Sequence, residues 1–394
     1  MKFAHLADCH LGAWRHPNLQ KLNLESFKKA VDISIKEGVD FILIAGDLFD
    51  SAYPPIEILK ETFSIFKKIN QSNIPVFLIA GSHDYSASGK TFLDVLEQAG
   101  FCKNVYNPEI KKGAEEKAEK ITLNPILYKS AAIYGYPGKK SGLEIEELRN
   151  ITINDTPGLF KIFMLHTTLT FAKGTLPIDS IDEDKLPKAD YYAIGHLHVD
   201  NPHKNFIYAG PTFPNNFEEL EELKQGQFYI IDTYTKHFRK IPLEIKDIVP
   251  FNIKIKDALT ATEKIISEFD KSDVKDKIVL LRLYGELDRG KHSNIDFQKI
   301  EKFLEEKEVY AFLRNTSRLK NKEAHQSEIK IESSDMENVE RVIIEEQSKK
   351  DPSKFNEFLV PLINAFNLEK QEDEKSTIFQ ERLTSDVRRV LRLH

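Results

Sequence analysis

The stretch Phe41-Ile42-Leu43-Ile44-Ala45-Gly46-Asp47-Leu48-Phe49-Asp50 limits what this chain can fold into. Its first half is a short apolar run rich in β-formers and closed by glycine, the pattern of a strand buried on both faces of a sheet. A carboxylate, Asp47, follows directly, and open α/β sheets bind ligands outside the carboxyl ends of their strands. Four other segments repeat the arrangement. Lys2 to Ala7 leads into Asp8-Cys9-His10, and Pro75 to Ala80 into Gly81-Ser82-His83-Asp84. Lys161 to Leu165 leads into His166, and Asp190 to Ile194 into Gly195-His196-Leu197-His198. Five strand ends thus deliver Asp-x-His, Asp, Ser-His-Asp, His and His-x-His, and the remaining chain reads as their scaffold.

Helical patterns alternate with these strands. Leu22 to Glu37 places Leu24, Phe27, Ala30, Val31 and Ile35 at helical spacing and stops at Gly38. Pro55 to Asn70 carries Leu59, Phe63 and Phe66, with Pro55 suited to the first turn. Thr91 to Ala99 is a shorter helix ended by Gly100, while Ile121 to Gly135 and Phe206 to Tyr234 read as strands joined by turns. Helix-covered strands of this kind build a layered α/β sandwich. At 394 residues the chain exceeds one ordinary core, and its composition shifts near residue 246. Strands at Phe251 to Ile255, Ile278 to Tyr284 and Val309 to Leu313, with helices at Leu259 to Phe269 and Asp296 to Glu305, predict a second, small α+β domain. Beyond about residue 331 the chain is charged and helical. Val339 to Glu346, Phe355 to Phe366 (which Pro361 should kink or split) and Ile378 to Leu393 carry apolar stripes. Such stripes need a partner surface, either this chain's own domains or a groove on another protein.

No apolar run approaches the length that spans a bilayer, and the N-terminus reads as a strand rather than a signal peptide, so a cytoplasmic protein without membrane contact is expected. The two cysteines, Cys9 and Cys102, form no CxxC, and Cys9 reads as a small core hydrophobe. A net charge of −6 gives no global sign of a nucleic-acid binder. Bound divalent cations would add local positive charge that side-chain counting omits.

Carboxylate and imidazole together suit borderline ions such as Mn, Fe, Zn or Co better than Mg or Ca. The set is larger than one ion needs, and Asp47 in its middle can bridge two. Two ions about 3.5–4 Å apart clamp the attacking and leaving oxygens of a phosphoryl displacement and lower the pKa of a water, with no covalent enzyme intermediate required. A single Asp-x-His or His-x-His arises by chance; five strand ends in succession, each delivering carboxylate or imidazole directly after an apolar strand, point to phosphoester hydrolysis. His5, inside the first strand, reads as a core histidine. Gly89-Lys90-Thr91 opens a helix like the end of a P-loop, but the earlier glycine position holds Asp84, so a kinase or ATPase reading falls.

These motifs, in this order, resemble the calcineurin-like metallophosphoesterase superfamily. Asp8-Cys9-His10-Leu11-Gly12, then Ala45-Gly46-Asp47-Leu48-Phe49-Asp50 with Pro54-Pro55 after it, are similar to the SbcD/Mre-type DNA double-strand break repair nucleases. Gly195-His196-Leu197-His198 with Tyr208-Ala209-Gly210-Pro211-Thr212 fits the same family, as does the order of segments. The resemblance implies a four-layer α/β/β/α metallophosphoesterase sandwich over residues 1–245, carrying the nuclease. It implies a small α+β DNA-capping domain over 246–330 and a helical tail over 331–394 that binds an SbcC-type coiled-coil ATPase. Two Mn2+ ions per chain are implied, or other divalent ions in their place: the first held by Asp8, His10, Asp47 and His198, the second by Asp47, His166 and His196. His83 would sit beside the scissile phosphate, orienting it or protonating the leaving oxygen. Ser82 stands where the family usually has Asn, a ligand of the second ion; its shorter hydroxyl, a poorer donor, would reach that ion through a water or leave it weakly held. Asp50 is a further catalytic candidate; bacterial members have Asp there, archaeal and eukaryotic ones often His. The implied activity is Mn-dependent processing of DNA ends, as a 3′–5′ double-strand exonuclease and single-strand endonuclease. A homodimer is implied too, with the helices at 55–70 and 91–99 as contact surfaces. Two other readings stay open: a metallophosphoesterase on a small phosphoester, and a DNA-end-binding scaffold whose second metal site has decayed at Ser82.

Overall fold

The computed structural model describes residues 1–85, 91–111, 120–139, 142–175, 178–321, 356–366 and 376–392. The chain divides into two compact units, Met1–Lys320 and Asn321–His394.

The first unit is built on two six-stranded sheets packed face to face. One runs in the order His237–Leu243, Gly226–Asp232, Lys2–Leu6, Phe41–Ala45, Val76–Ile79, Lys103–Asn104. Its last four strands are mutually parallel, and the other two join antiparallel. The other sheet runs Asn201–His203, Phe206–Tyr208, Tyr191–Gly195, Phe160–His166, Ala131–Tyr136, Ile126–Tyr128, parallel at its centre and antiparallel at both edges. Every residue of Phe41–Ala45 is buried because both faces are covered. Phe41 and Leu43 enter the layer between the sheets with Ile133, Ile162 and Met164. Ile42 and Ile44 pack beneath the helices Pro17–Lys36 and Ile56–Gln71, against Phe27, Val31 and Phe66. Each such side chain contributes about 1.5–3 kcal/mol. The outer face of the second sheet is covered by the short helix Glu144–Leu148, by Leu169, Ile181 and Leu186, and by a small sheet of Pro108–Lys111, Lys120–Leu123 and Thr152–Ile153. The layers therefore stack α/β/β/α.

Two helix ends show why pattern and structure differ. The first helix starts at Pro17, before the Leu22 of the pattern, because Pro17 sits at its N-terminus and Leu19 and Leu22 are buried beside Phe213 and Leu220. The third, Phe92–Gln98, starts at a capping box: Thr91 Oγ1 accepts the Leu93 N–H, and Asp94 accepts the Thr91 N–H. One element breaks the expected run of strands and turns between Phe206 and Tyr234. Phe217–Glu222 is a helix, capped by Asn216, whose side chain accepts the Glu219 N–H. His5 is fully buried between the sheets, its Nδ1 2.9 Å from the Tyr191 hydroxyl. Cys9 is also fully buried.

The small α+β part has a three-stranded sheet of Ile248–Lys254, Ile278–Leu287 and Ala311–Asn321, with helices Ala261–Asp270 and Phe297–Glu306. Ile265, Phe269, Ile300 and Leu304 of the helices close its core over Val279, Leu281 and Leu283. Pro250 is tolerated because its strand lies at the sheet edge. The other face, through Ile278, Leu280 and Ala311, packs on Leu19, Leu22, Phe213 and Leu220, so this part is continuous with the sandwich.

In the second unit, helices Asn356–Phe366 and Ser376–Val390 are described, and the Arg392 guanidinium lies 5.4 Å from the Phe358 ring centroid. Pro361 neither ends nor splits its helix, which continues for a further turn beyond the one missing N–H. The helix expected at Val339 to Glu346 lies outside the described residues. Among the described residues, no helix is long and apolar enough to cross a membrane.

Candidate metal centre

The five strand ends meet. Three groups of ligand atoms each lie within 4.8 Å of one another: Asp8, His10 and His198; Asp8, Asp47 and His166; His10, Asp50 and His83. Asp47 joins them. Its Oδ1 accepts the His83 N–H at 2.8 Å, while Oδ2 lies 3.2 Å from His166 Nε2 and 3.5 Å from His10 Nε2. His10 Nε2 is in turn 3.1 Å from His198 Nε2. Asp8 Oδ1 accepts the His196 N–H at 2.9 Å, which leaves Oδ2 buried without a hydrogen bond; His166 Nε2 is in the same position. Leaving such groups unpaired costs about 1–3 kcal/mol each. A cation among them satisfies them together, and this mixture of imidazole nitrogen and carboxylate oxygen fits a borderline divalent ion.

Local backbone geometry aims these side chains. Asp8, His10, Asp47 and His196 have φ values of 49°, 43°, 48° and 96°. That left-handed region costs non-glycine residues about 1–3 kcal/mol each and persists where surrounding structure imposes it. The neighbouring glycines are needed for space. A Cβ on Gly81 would lie 2.1 Å from Asp47 Oδ1 and 2.3 Å from its backbone N. A Cβ on Gly46, itself at φ 87°, would lie 2.1 Å from His166 Nδ1. The Gly-Asp and Gly-Ser-His-Asp motifs are therefore turns that let two strand ends touch.

Hydrogen bonds at Nδ1 set the imidazole tautomers. His166 Nδ1 is 3.0 Å from the Ala45 carbonyl oxygen and donates to it, so in the neutral ring Nε2 would carry the lone pair. His198 Nδ1 donates to Glu219 Oε1 at 2.8 Å, with the same consequence. His83 Nδ1 donates to the Asp50 carbonyl oxygen at 2.8 Å. Charge is tightly balanced. Burial alone would push the His166 imidazole down, but the Asp47 and Asp8 carboxylates override it and raise it to about 10. Asp47, which burial would raise, is driven well below the carboxylate range by His166 and His10. Burial, followed by the nearby His166, holds His196 at about 4, so its ring is neutral near neutral pH. A cation held here would displace the His166 proton, so its binding would be coupled to pH. Asp84 accepts the Gly81, Phe49 and Leu48 N–H groups at 2.9, 3.0 and 3.3 Å, stapling the two turns together. Burial, then Asp47, pushes its carboxyl up to about 7 against those donors.

Asp8, His10, Asp47, His166 and His198, singled out from the sequence, form two overlapping groups, and Asp50 and His83 join His10 in the third. His196 falls outside these groups, with its ring centroid 5.1 Å from that of His166. Ser82 is half-buried in the turn between Gly81 and His83. Sequence reasoning passed over three contributors: the stapling role of Asp84, Gly138, where a Cβ would lie 2.4 Å from the His166 ring, and Glu219. The one available signal for Glu219 was its place three residues after Asn216, the spacing of a capping box.

A model of the calcineurin-like phosphoesterase family matches residues 1–200. The chain is also similar to the DNA double-strand break repair protein Mre11 of Methanocaldococcus jannaschii, at 28% identity over 324 residues, covering 77% of each chain. The protein of that name from Archaeoglobus fulgidus is 26% identical over 353 residues, 78% of this chain and 76% of its own. The uncharacterized metallophosphoesterase YhaO of Bacillus subtilis is 29% identical over 236 residues, 56% of this chain and 55% of its own.

Proposed function

The chain belongs to the calcineurin-like phosphoesterase family, and from that premise we propose that it is a Mn-dependent DNA nuclease that hydrolyses phosphodiesters with two metal ions. The observation that carries the two-metal reading is the position of Asp47 Oδ2, between His166 Nε2 at 3.2 Å and His10 Nε2 at 3.5 Å. In this reading Asp8, His10, Asp47 and His198 hold the first ion. Asp47, His166 and His196 hold the second, with Ser82 reaching it through a water. Ions bound there supply the Lewis acidity that activates a water and neutralises charge on the phosphate. His83 orients the scissile phosphate or protonates the leaving oxygen. Its Nδ1 is tied to Asp50, which leaves Nε2 for that task. The Asp50 carboxylate lies 3.3 Å from His10 Nδ1, while its backbone carbonyl holds the His83 ring.

The DNA assignment is supported by the similarity to the two proteins named for double-strand break repair. We assign residues 1–245 to hydrolysis, 246–330 to capping DNA ends and 331–394 to docking on an SbcC-type ATPase. The proposed activities are 3′–5′ double-strand exonuclease and single-strand endonuclease, in a cytoplasmic setting. Contacts to the sugar-phosphate backbone rather than the bases suit such end processing. A homodimer through helices Ile56–Gln71 and Phe92–Gln98 is consistent with the exposed Ile56 and Val95 on them. An end-labelled linear duplex, incubated with Mn or Mg beside a generic phosphodiester, tests the substrate. Release of label with Mn supports the nuclease. Cleavage of the generic substrate alone would indicate a small phosphoester, and DNA binding without any cleavage would indicate a scaffold.

A further inference from the structure

The short helix Phe217–Glu222 touches both the centre and the small α+β part. Glu219 Oε1 accepts the His198 Nδ1–H at 2.8 Å and an Asn216 Nδ2–H at 2.6 Å, and Oε2 accepts the Asn215 N–H at 2.8 Å. The carboxylate is thus held at both oxygens before it holds the ring. Two residues on, Glu221 Oε2 accepts from Arg282 Nε at 2.9 Å and Nη2 at 2.7 Å. Arg282 projects from the central strand of the small sheet, its side chain is 5% exposed, and its guanidinium lies 5.0 Å from the Phe217 ring centroid. Leu220 is fully buried in the cluster that holds Ile278 and Leu280 of the same sheet.

We propose that Glu219 is the positioning residue of His198 in the first metal site, and that the Arg282–Glu221 ion pair anchors the helix that carries it. The inference rests on the metal centre proposed above. A free imidazole can present either nitrogen or turn away. A carboxylate fixed 2.8 Å from Nδ1 accepts a hydrogen bond from its N–H, leaves the lone pair on Nε2, and makes Nε2 a stronger electron-pair donor to a metal. It also fixes the ring where Nε2 lies 3.1 Å from His10 Nε2, so that both would be presented to one cation. The buried guanidinium then ties the small sheet to the geometry of that site.

The test is calorimetric titration of the metal-free full chain with Mn, comparing wild type with Glu219→Ala, Glu219→Gln and Arg282→Met, with thermal melts alongside. Glu219→Ala should weaken one of the two sites by about 10–100-fold and leave the other within about twofold. Glu219→Gln, whose amide oxygen still accepts from Nδ1, should recover most of the loss. Arg282→Met should weaken the same site by a smaller factor. A wild type that binds two ions while Glu219→Ala binds both equally well overturns the proposal. So does a loss spread over both sites that Gln does not rescue, the result of a merely structural role. A wild type that takes up no Mn contradicts the metal-centre reading itself and the inference with it.

Discussion

His83 stands apart from the buried residues of the centre because its side chain is 47% exposed while its Nδ1 is occupied by the Asp50 carbonyl. A ring placed this way can meet a substrate without being consumed as a ligand. His83→Ala should lower hydrolysis by about 10²–10⁴-fold, the usual range for a general acid, and leave Mn content unchanged; loss of Mn instead would make His83 a ligand. His5 is a different kind of histidine. Burial pushes its imidazole down to about 3, so it is neutral in the fold and takes up a proton on unfolding below 6.5. The folded value is the lower one, so stability is present above 6.5 and is lost as pH falls toward 3. The slope is at most about 1.4 kcal/mol per pH unit. His5→Gln keeps a partner for the Tyr191 hydroxyl but cannot titrate. Between about pH 7 and about pH 5, urea unfolding should show wild type losing about 2 kcal/mol more than this variant. Equal losses would place the His5 environment closer to water than its burial indicates.

The turns that end the strands convert sequence into site, and they explain what was legible. Parallel strands covered on both faces leave uninterrupted apolar runs, so Phe41–Ala45, Phe160–His166 and their neighbours announce themselves, and the polar residues after them stand out. Phe217–Glu222 does not. Its apolar positions Phe217 and Leu220 are separated by Glu218 and Glu219, too short a stretch for periodicity to register. Its two decisive contacts, His198 to Glu219 and Arg282 to Glu221, join residues 21 and 61 positions apart, which no local pattern encodes. Strand Ala311–Asn321 exceeds the apolar run Val309 to Leu313 because much of it is half-exposed and carries polar residues. The turn at Gly81 gives a sharp test. In Gly81→Ala the new methyl meets the Asp47 backbone, which cannot swing aside. Mn affinity should fall at least about 10-fold, with about 1–3 kcal/mol of stability lost to overpacking. Calorimetry and thermal melts with wild-type values would mean that the two turns separate easily.

At the scale of the molecule, the centre and the small α+β part share one compact unit, Met1–Lys320, and the C-terminal helices belong to another. Hydrolysis and partner binding should therefore separate. Removing residues 331–394 should leave turnover of a generic phosphodiester within about twofold, because every residue of the three ligand groups belongs to the first unit. The same deletion should abolish co-elution with an SbcC-type ATPase and the duplex processing that depends on it. A truncated chain that loses generic turnover as well would tie the tail to the centre. Chain-wide charge gives no guide to the substrate: at −6 the chain resembles any acidic protein, and cations bound at the centre would supply the local positive charge that attracts phosphate.

The most direct measurement is a parallel titration of metal-free chain with Mn, recording ions bound and hydrolysis of a generic phosphodiester at each step, in wild type and in Asp47→Asn. Bridging by Asp47 predicts two ions per wild-type chain, turnover that rises only as the second is taken up, and neither two-ion binding nor turnover in the variant. Full turnover with one ion bound, or two ions held as tightly without the Asp47 carboxylate, would contradict it.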